Sequence, residues 1–345
     1  MIDPDFSAHS LFAGGSLLLL SLLKRQAFGS VTALPFLMDF ETHARLLLAL
    51  PLLAAAEMMA ERRFGQPLPE FLERNIIPGD TRSTFEKALC AASKLSEFVI
   101  AEFMLVAFVY GLGILVVWWR FVALDNTTWC ATPNADGSQL SLAGIYYTFV
   151  SLPIFQFILC GWYFRLFIGA RFLWQVSRIH LSLTPTHPDR TGGFSFVSET
   201  TRALTVFAAA HGALLSGYIA TRIFSGGKVL TDFTLETAVM IALVLTVTLL
   251  PTLAFTPQLV RARQEGRREY GIFVARYVRE FDPKWVRGAA PTGEPLIGSP
   301  DIQSLAGMAN SYEVVRTFRV TLITREVVLR LAVATLIPLA PCCSP

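Results

Sequence analysis

The stretch ALTVFAAAHGALLSGYIAT, residues 203–221, lies between Arg202 and Arg222 and contains one side chain that titrates near neutral pH, His211. Wound as an α-helix, a run of this length reaches about 28 Å, close to the roughly 30 Å hydrocarbon thickness of a bilayer. Comparable runs recur at Phe6–Leu23, Leu46–Met59, Phe98–Trp119, Leu142–Phe164, Thr237–Thr256 and Val327–Ala340. The reading is an all-α, polytopic membrane helix bundle of six or seven spans, forming one integral membrane domain over residues 1–345. Val327–Ala340 carries Arg330 and Pro338 and reaches only about 21 Å as a helix. It is therefore expected to be re-entrant or cut short.

Composition agrees with this reading. Apolar residues make up 53% of the chain and charged residues 16%, against about 25% charged in soluble domains, and the mean hydropathy is +0.51. Lipid, rather than an interior, absorbs that excess. The net charge of +3 is small and the 29 Lys and Arg residues cluster in a few loops, which points to membrane topology and away from nucleic acid. The five cysteines, Cys90, Cys130, Cys160, Cys342 and Cys343, show neither C-x-x-C spacing nor a nearby histidine at zinc-ligand spacing. No disulfide framework, metal site or cofactor is expected. Cys342 and Cys343 do not match a prenylation box. Asp3 and Asp5, with no Lys or Arg before Ser10, are the wrong flank for a cleaved signal peptide, so the start is expected to be retained.

Orientation follows from the basic residues. The segment 61–97 holds Arg62, Arg63, Arg74, Arg82, Lys87 and Lys94, whereas Arg120–Ser141 holds Arg120 alone. The first is expected in the cytoplasm and the second outside. Alternation then makes 165–202 and 257–326 cytoplasmic, and both are basic. Lys24, Arg25 and Arg45 conflict with this scheme, which puts them outside.

The cytoplasmic segments read as structured. Ser83 and Glu86 suggest a capping box, followed by Phe85, Leu89, Ala92 and Leu95 at helical spacing. After the fourth span, Arg165, Arg171 and Arg178 alternate with Phe167, Phe172 and Trp174, predicting a helix that continues past the hydrocarbon with an aromatic belt. Tyr270, Val274, Tyr277 and Phe281 form one helical face, with Arg267, Arg268, Arg276 and Arg279 elsewhere on the wheel. A Pro- and Gly-rich linker, Asp282–Gly298, precedes a helix capped by Ser299 and opened by Pro300, with Ile302, Leu305, Ala309 and Tyr312 on one face. In the outer loop, Trp129 with Pro133, Asn134 and Gly137 suggests a short ordered turn, and Asn126-Thr127-Thr128 matches a glycosylation acceptor.

Two places carry candidate chemistry. The run Pro185-Thr186-His187-Pro188-Asp189-Arg190-Thr191-Gly192-Gly193 joins a candidate proton-handling pair, His187 and Asp189, to a basic residue, Arg190. Its glycines, Gly192 and Gly193, would let backbone N–H groups converge on a charge. The preferred alternative is a rigid turn in which Asp189 bonds its own backbone and Gly192 or Gly193 takes positive φ. Within the membrane, His211 and Gln156 lie near mid-depth, where polar groups mark a transport path or an interhelical hydrogen bond. Ala209, Ala213 and Gly217 give small-xxx-small spacing beside His211 and predict close helix packing. Glu57 and Glu102 fall near the cytoplasmic ends of their spans. They form either a vestibule or, by preference, snorkelling groups paired with Arg62 or Arg63.

The run Arg171-Phe172-Leu173-Trp174-Gln175-Val176-Ser177-Arg178 and the following Pro185–Gly193 nonapeptide resemble a family of uncharacterised bacterial polytopic inner-membrane proteins that carry a P-T-H-P-D-R-x-G-G motif. The resemblance extends to Ala123–Trp129, Phe281-Asp282-Pro283-Lys284-Trp285, Glu294-Pro295-Leu296 and Asp301–Leu305. It implies a multi-pass protein of the bacterial inner membrane and brings no activity with it. The family pattern continues into a fuller last hydrophobic segment than this chain shows before Pro341-Cys342-Cys343-Ser344-Pro345.

The leading functional expectation is a channel or transporter for a small solute or ion, resting on His211, Gln156, Glu102 and Glu57. A non-catalytic membrane scaffold or sensor acting through its cytoplasmic helices comes second, and an interfacial enzyme using His187 and Asp189 third. The compatible partners are the lipid bilayer, a second copy of the chain and a cytoplasmic protein.

Overall fold

The computed structural model describes residues 36–64, 67–96, 99–117, 129–134, 137–201 and 204–343. The first hydrophobic segment, Lys24, Arg25, Arg120, Ala123–Thr128 with its glycosylation motif, and the last two residues lie outside the described residues.

The described chain is a membrane helix bundle. Four of its helical stretches are long and apolar enough to cross a bilayer: α1 (Phe40–Ala60), α4 (Leu142–Val176), α5 (Leu204–Gly226), and Leu230–Val286. Within the last, α6 (Thr234–Leu249) passes through 3-10 turns at Leu250–Phe255 into α7 (Thr256–Phe281). Between α1 and α4 come α2 (Arg82–Ser96), α3 (Val99–Val117) and an antiparallel hairpin, β1 (Ala131–Asn134) with β2 (Gly137–Leu140). That hairpin stands where the sequence suggested only a turn. Helices α8 (Pro300–Arg316) and α9 (Arg325–Leu336) close the fold.

Helix α5 is the centre of the bundle, touching α1, α6 and α9. Glycines permit that closeness. A Cβ on Gly212 would sit 2.1 Å from the Thr335 carbonyl oxygen of α9, and one on Gly217 would sit 2.4 Å from Ala44 Cβ of α1. The small-residue spacing thus marks a packing face, with Gly212 added to it. Helix α9 shows no re-entrant turn among the described residues, and it is not one of the four stretches long and apolar enough to cross a bilayer. Its twelve α-helical residues run on into seven 3-10 residues ending at Cys343, together about 32 Å. They follow α5 from the Leu204–Ala208 level to Leu339, which packs with Leu215 and Ile219.

Helix α4 is 35 residues long, about 52 Å, and so projects well beyond a hydrocarbon core of about 30 Å. The extension was legible in the Arg and aromatic alternation. Its end meets the segments rich in basic residues at one end of the molecule, here called the basic end. There Phe71, Phe85, Phe194, Phe196, Phe255 and Phe318 form a second core.

Several local expectations need correction. Helix α2 begins at Arg82, so Ser83 lies inside its first turn, and Glu86 bonds Arg82 at 3.0 Å rather than reaching back to a cap. Arg45 is not a loop charge. It is inside the helix, 15% exposed, paired with Glu41 at 2.8 Å and bonded to the Tyr147 hydroxyl, which removes it from the conflict over orientation. Ser299 caps α8 as expected, accepting from Asp301 N at 3.2 Å. The face that α8 turns toward α7 is nevertheless Leu305, Met308, Tyr312 and Val315, while Ile302 and Ala309 are exposed.

Candidate functional site

His211 is 2% exposed. Its Nδ1 lies 2.9 Å from the Phe207 carbonyl oxygen, one helical turn back, and its Nε2 lies 2.8 Å from the Tyr163 hydroxyl. A carbonyl only accepts, so Nδ1 carries the hydrogen, and Nε2 of the neutral ring accepts from Tyr163. Phe207 and Tyr163 enclose the ring at centroid distances of 4.3 and 5.7 Å. The interhelical partner of His211 is therefore Tyr163 and not Gln156. Gln156 sits seven residues before Tyr163 on α4, about 10 Å along the axis, half-buried, with its Oε1 unpartnered. Glu102 lies in α3, and its side chain is outside the described residues.

The nonapeptide folds as a rigid turn. Arg190, Gly192 and Gly193 all have positive φ, at 58°, 73° and 92°. Asp189 accepts from three backbone N–H groups, those of Thr191 (2.8 Å), Gly193 (3.1 Å) and Ser195 (3.1 Å). Burial acts to raise the pKa of this carboxyl, and the three backbone bonds outweigh it and bring the pKa down to about 2. The turn also ties distant elements together. Arg74 donates to the Gly193 carbonyl at 3.1 Å, Arg319 N donates to the Arg190 carbonyl at 2.7 Å, and Phe194 is fully buried in the basic-end core. His187 Nδ1 does meet Asp189 Oδ1 at 2.9 Å. Among the described residues, however, no serine, threonine or cysteine side chain bonds to that histidine, so the pair lacks a nucleophile.

A third site emerges where the spans meet the basic end. Helices α1, α2, α4, α5 and the α6 to 3-10 junction enclose a cavity of about 590 Å³, within the size range of small-molecule pockets. Its wall includes Trp162, Leu166, Leu173, Leu204, Val247 and Pro251. The hydroxyls on that wall are already spent. Ser93, Ser96, Thr201, Thr248 and Thr252 each donate to a backbone carbonyl three or four residues back. The Trp162 indole N–H likewise donates to the Leu53 carbonyl at 3.1 Å. What remains polar is one ion pair, Glu57 to Arg165, at 2.5 Å. The Glu57 side chain is 6% exposed and that of Arg165 is 53% exposed. Glu57 therefore lines this cavity with a partner from α4, while the side chains of Arg62 and Arg63 lie outside the described residues. Among the described residues no three His, Cys, Asp or Glu side chains converge as a metal site would.

The opposite end holds a buried polar latch that sequence reasoning missed. Asp39, 4% exposed, accepts from Thr42 N, from the Thr42 hydroxyl at 2.7 Å and from the Trp129 indole N–H at 3.0 Å. Arg45 and Tyr147 meet where α1 and α4 each carry a π-helical turn, Ala44–Ala49 and Tyr147–Ser151. Burial, with the Asp39 charge adding to it, pushes the nearby Cys130 thiol up to about 12, which leaves it unreactive. The one sequence signal was Trp129, a large indole in a loop.

Compared with known protein families, curated proteins and solved structures, the chain matches none.

Proposed function

We propose that the chain is a non-conducting membrane sensor. It takes an apolar or amphiphilic small molecule into the cavity beside Glu57 and Arg165 and relays occupancy to the helical layer at its basic end. On this reading the protein is a multi-pass component of the bacterial inner membrane, with 61–97, 165–202 and 257–326 on the cytoplasmic side.

The observation that carries the proposal is the origin of the cavity wall. Trp162, Leu204 and Val247 come from the spans, whereas Leu89, Ala92 and Ser96 come from the amphipathic helix α2, and Val197 and Thr201 from the segment after the rigid turn. A guest that fills the cavity touches membrane helices and basic-end elements together. His211 supports this reading by its saturation, since a side chain with both nitrogens bonded and two aromatic rings around it offers nothing to a passing ion. The apolar wall favours a hydrophobic guest, and the single ion pair orients a polar end.

The test uses a dansyl-labelled fatty acid with purified protein in nanodiscs. Gly169 lines the cavity, and a Cβ at that position would meet open space, so Gly169→Trp should abolish probe binding while leaving the melting temperature unchanged. Undiminished binding in Gly169→Trp defeats the proposal. Transport of a small solute is the second reading, favoured by the half-exposed Arg165 at the cavity mouth, and it requires solute flux in proteoliposomes that the same substitution blocks.

A further inference from the structure

A second concavity lies on the other side of α4, along its contact with the Leu250–Phe255 turns. Its upper part, about 540 Å³, is apolar and includes Phe167 and Leu250, side chains that are 55% and 59% exposed. Its lower part, about 750 Å³, is polar and contains Arg178, Arg261, Glu265 and Glu269. Both parts share Trp174 and Ala254, so they form one groove that is apolar toward the membrane and charged beyond it. Arg171 stands on the upper wall, where α4 leaves its apolar stretch.

Among the described residues the charges in this groove have no ion-pair partner. No carboxylate among the described residues comes within 4.0 Å of Arg171, Arg178 or Arg261, and Glu265 and Glu269 have no basic partner at that distance, although Arg261 and Glu265 are one helical turn apart. The Arg178 guanidinium is folded back over the Trp174 ring at 5.0 Å, which holds it near the belt level. Gln258 is committed elsewhere, its amide donating to the Ser177 and Ile179 carbonyls at 2.5 and 2.8 Å and fixing the floor. Moving away from the membrane, the order of groups is apolar wall, arginines, then Glu265 and Glu269 four and eight residues after Arg261.

We propose that this groove seats one phospholipid whose headgroup carries a phosphate followed by a primary ammonium, that is, phosphatidylethanolamine. Acyl chains lie against Phe167 and Leu250. The phosphate meets Arg171, Arg178 and Arg261, since guanidinium groups match phosphate oxygens in charge and geometry. The ammonium, the outermost part of such a headgroup, meets Glu265 and Glu269. A purely anionic lipid would satisfy the arginines but set its head against the two glutamates, and a choline head offers them no N–H donors. Basic pockets between spans at a membrane face are a recurrent way of holding lipid heads.

The experiment is native mass spectrometry of the purified, delipidated full chain with palmitoyl-oleoyl phosphatidylethanolamine, phosphatidylglycerol or phosphatidylcholine. Retention of phosphatidylethanolamine should exceed that of the other two. Arg178→Ala with Arg261→Ala should lower it, by about fivefold for each arginine at roughly 1 kcal/mol per basic residue. Glu265→Gln with Glu269→Gln should shift the preference to phosphatidylglycerol. All four side chains are exposed, so folding should survive, and an unchanged melting temperature checks that it has. Equal retention of the three lipids, a wild-type preference for phosphatidylglycerol or phosphatidylcholine, undiminished retention in the arginine double variant, or a preference that the glutamate double variant leaves intact would overturn the proposal. Probe binding in the Glu57 cavity is read separately, so the two sites fail independently.

Discussion

Removing the Asp189 carboxylate should cost more than any other single change in the 185–193 turn. The side chain is 11% exposed and receives three backbone N–H bonds of 2.8 to 3.1 Å. A hydrogen bond to a charged group is worth about 1.5–3 kcal/mol, and a buried donor left without a partner costs about 1–3 kcal/mol. With three donors orphaned, and water recovering part of the loss, Asp189→Ala should destabilise by about 3–6 kcal/mol. Asp189→Asn keeps one acceptor oxygen for the Thr191 and Gly193 N–H groups and turns an NH2 toward the Ser195 N–H, so about 1.5–3 kcal/mol should be lost. The pH dependence has a definite sign. The folded-state pKa of about 2 lies below the ordinary aspartate value of 3.8, so the stabilisation is complete above about pH 4 and disappears as pH falls toward 2. The deficit of Asp189→Asn relative to wild type should accordingly be constant from pH 7 to about 4.5 and close between 4 and 2. Thermal unfolding of detergent-solubilised protein, followed by loss of the monodisperse chromatographic peak, reads wild type and both variants. An Asp189→Ala protein within about 0.5 kcal/mol of wild type, or an Asp189→Asn deficit that persists to pH 2, refutes the assignment of these bonds.

Other outcomes follow from particular contacts. Gly212→Ala drives a methyl group into the Thr335 carbonyl and should cost about 1–3 kcal/mol, whereas Gly111→Ala in α3, with open space around it, should leave the melting temperature level or raised; equal effects would deny the α5 to α9 contact. Arg165→Gln leaves the buried Glu57 carboxylate alone and should cost about 1–3 kcal/mol, below the range for fully buried pairs because Arg165 is half-exposed. Adding Glu57→Gln should recover part of it, and strictly additive losses in the double-mutant cycle would mean the two do not interact. In a background without native cysteines, a cysteine at Gly137 should react with impermeant maleimide in intact cells, and one at the exposed Thr292 should not. A cysteine at Thr191 is uninformative because that position is 4% exposed, and labelling at Thr292 from outside would reverse the orientation.

What the sequence made legible was local. Among the described residues the apolar runs became helices, Ser299 and Pro300 opened α8, and the Gly192-Gly193 pair took the positive φ that only a turn of this kind requires. The failures were of pairing across distance. Glu57 meets the guanidinium of Arg165, 108 residues away, a contact that no local spacing shows. Tyr163 was hidden as one more aromatic in an apolar span until α4 and α5 were laid side by side. Arg45 looked like a loop charge because hydropathy alone starts its span at Leu46, whereas the helix begins more than a turn earlier, with Asp39 accepting from the Thr42 N–H and Glu41 pairing with the cation. Side-chain neutralisation of this sort lowers the cost of placing a cation within a span, and no window average contains it.

The same bonds decide which polar residues are available for chemistry. A histidine has two ring nitrogens, and His211 has committed both, so any ligand there must first break a bond to Tyr163 or to its own helix. Asp189 is similarly exhausted by three backbone donors. Glu57 differs, because its ion-pair partner among the described residues, Arg165, is half-exposed and can swing toward water or toward a guest's anionic end. The carboxylate it would leave behind sits in an apolar wall whose hydroxyls already donate to backbone carbonyls. Releasing Arg165 thus raises the energy of Glu57, and the helix that can respond is α2, whose Ser93 and Ser96 stand on the same wall. On the proposed sensor reading, coupling between the membrane and the basic end would run through the Glu57 to Arg165 pair rather than through His211.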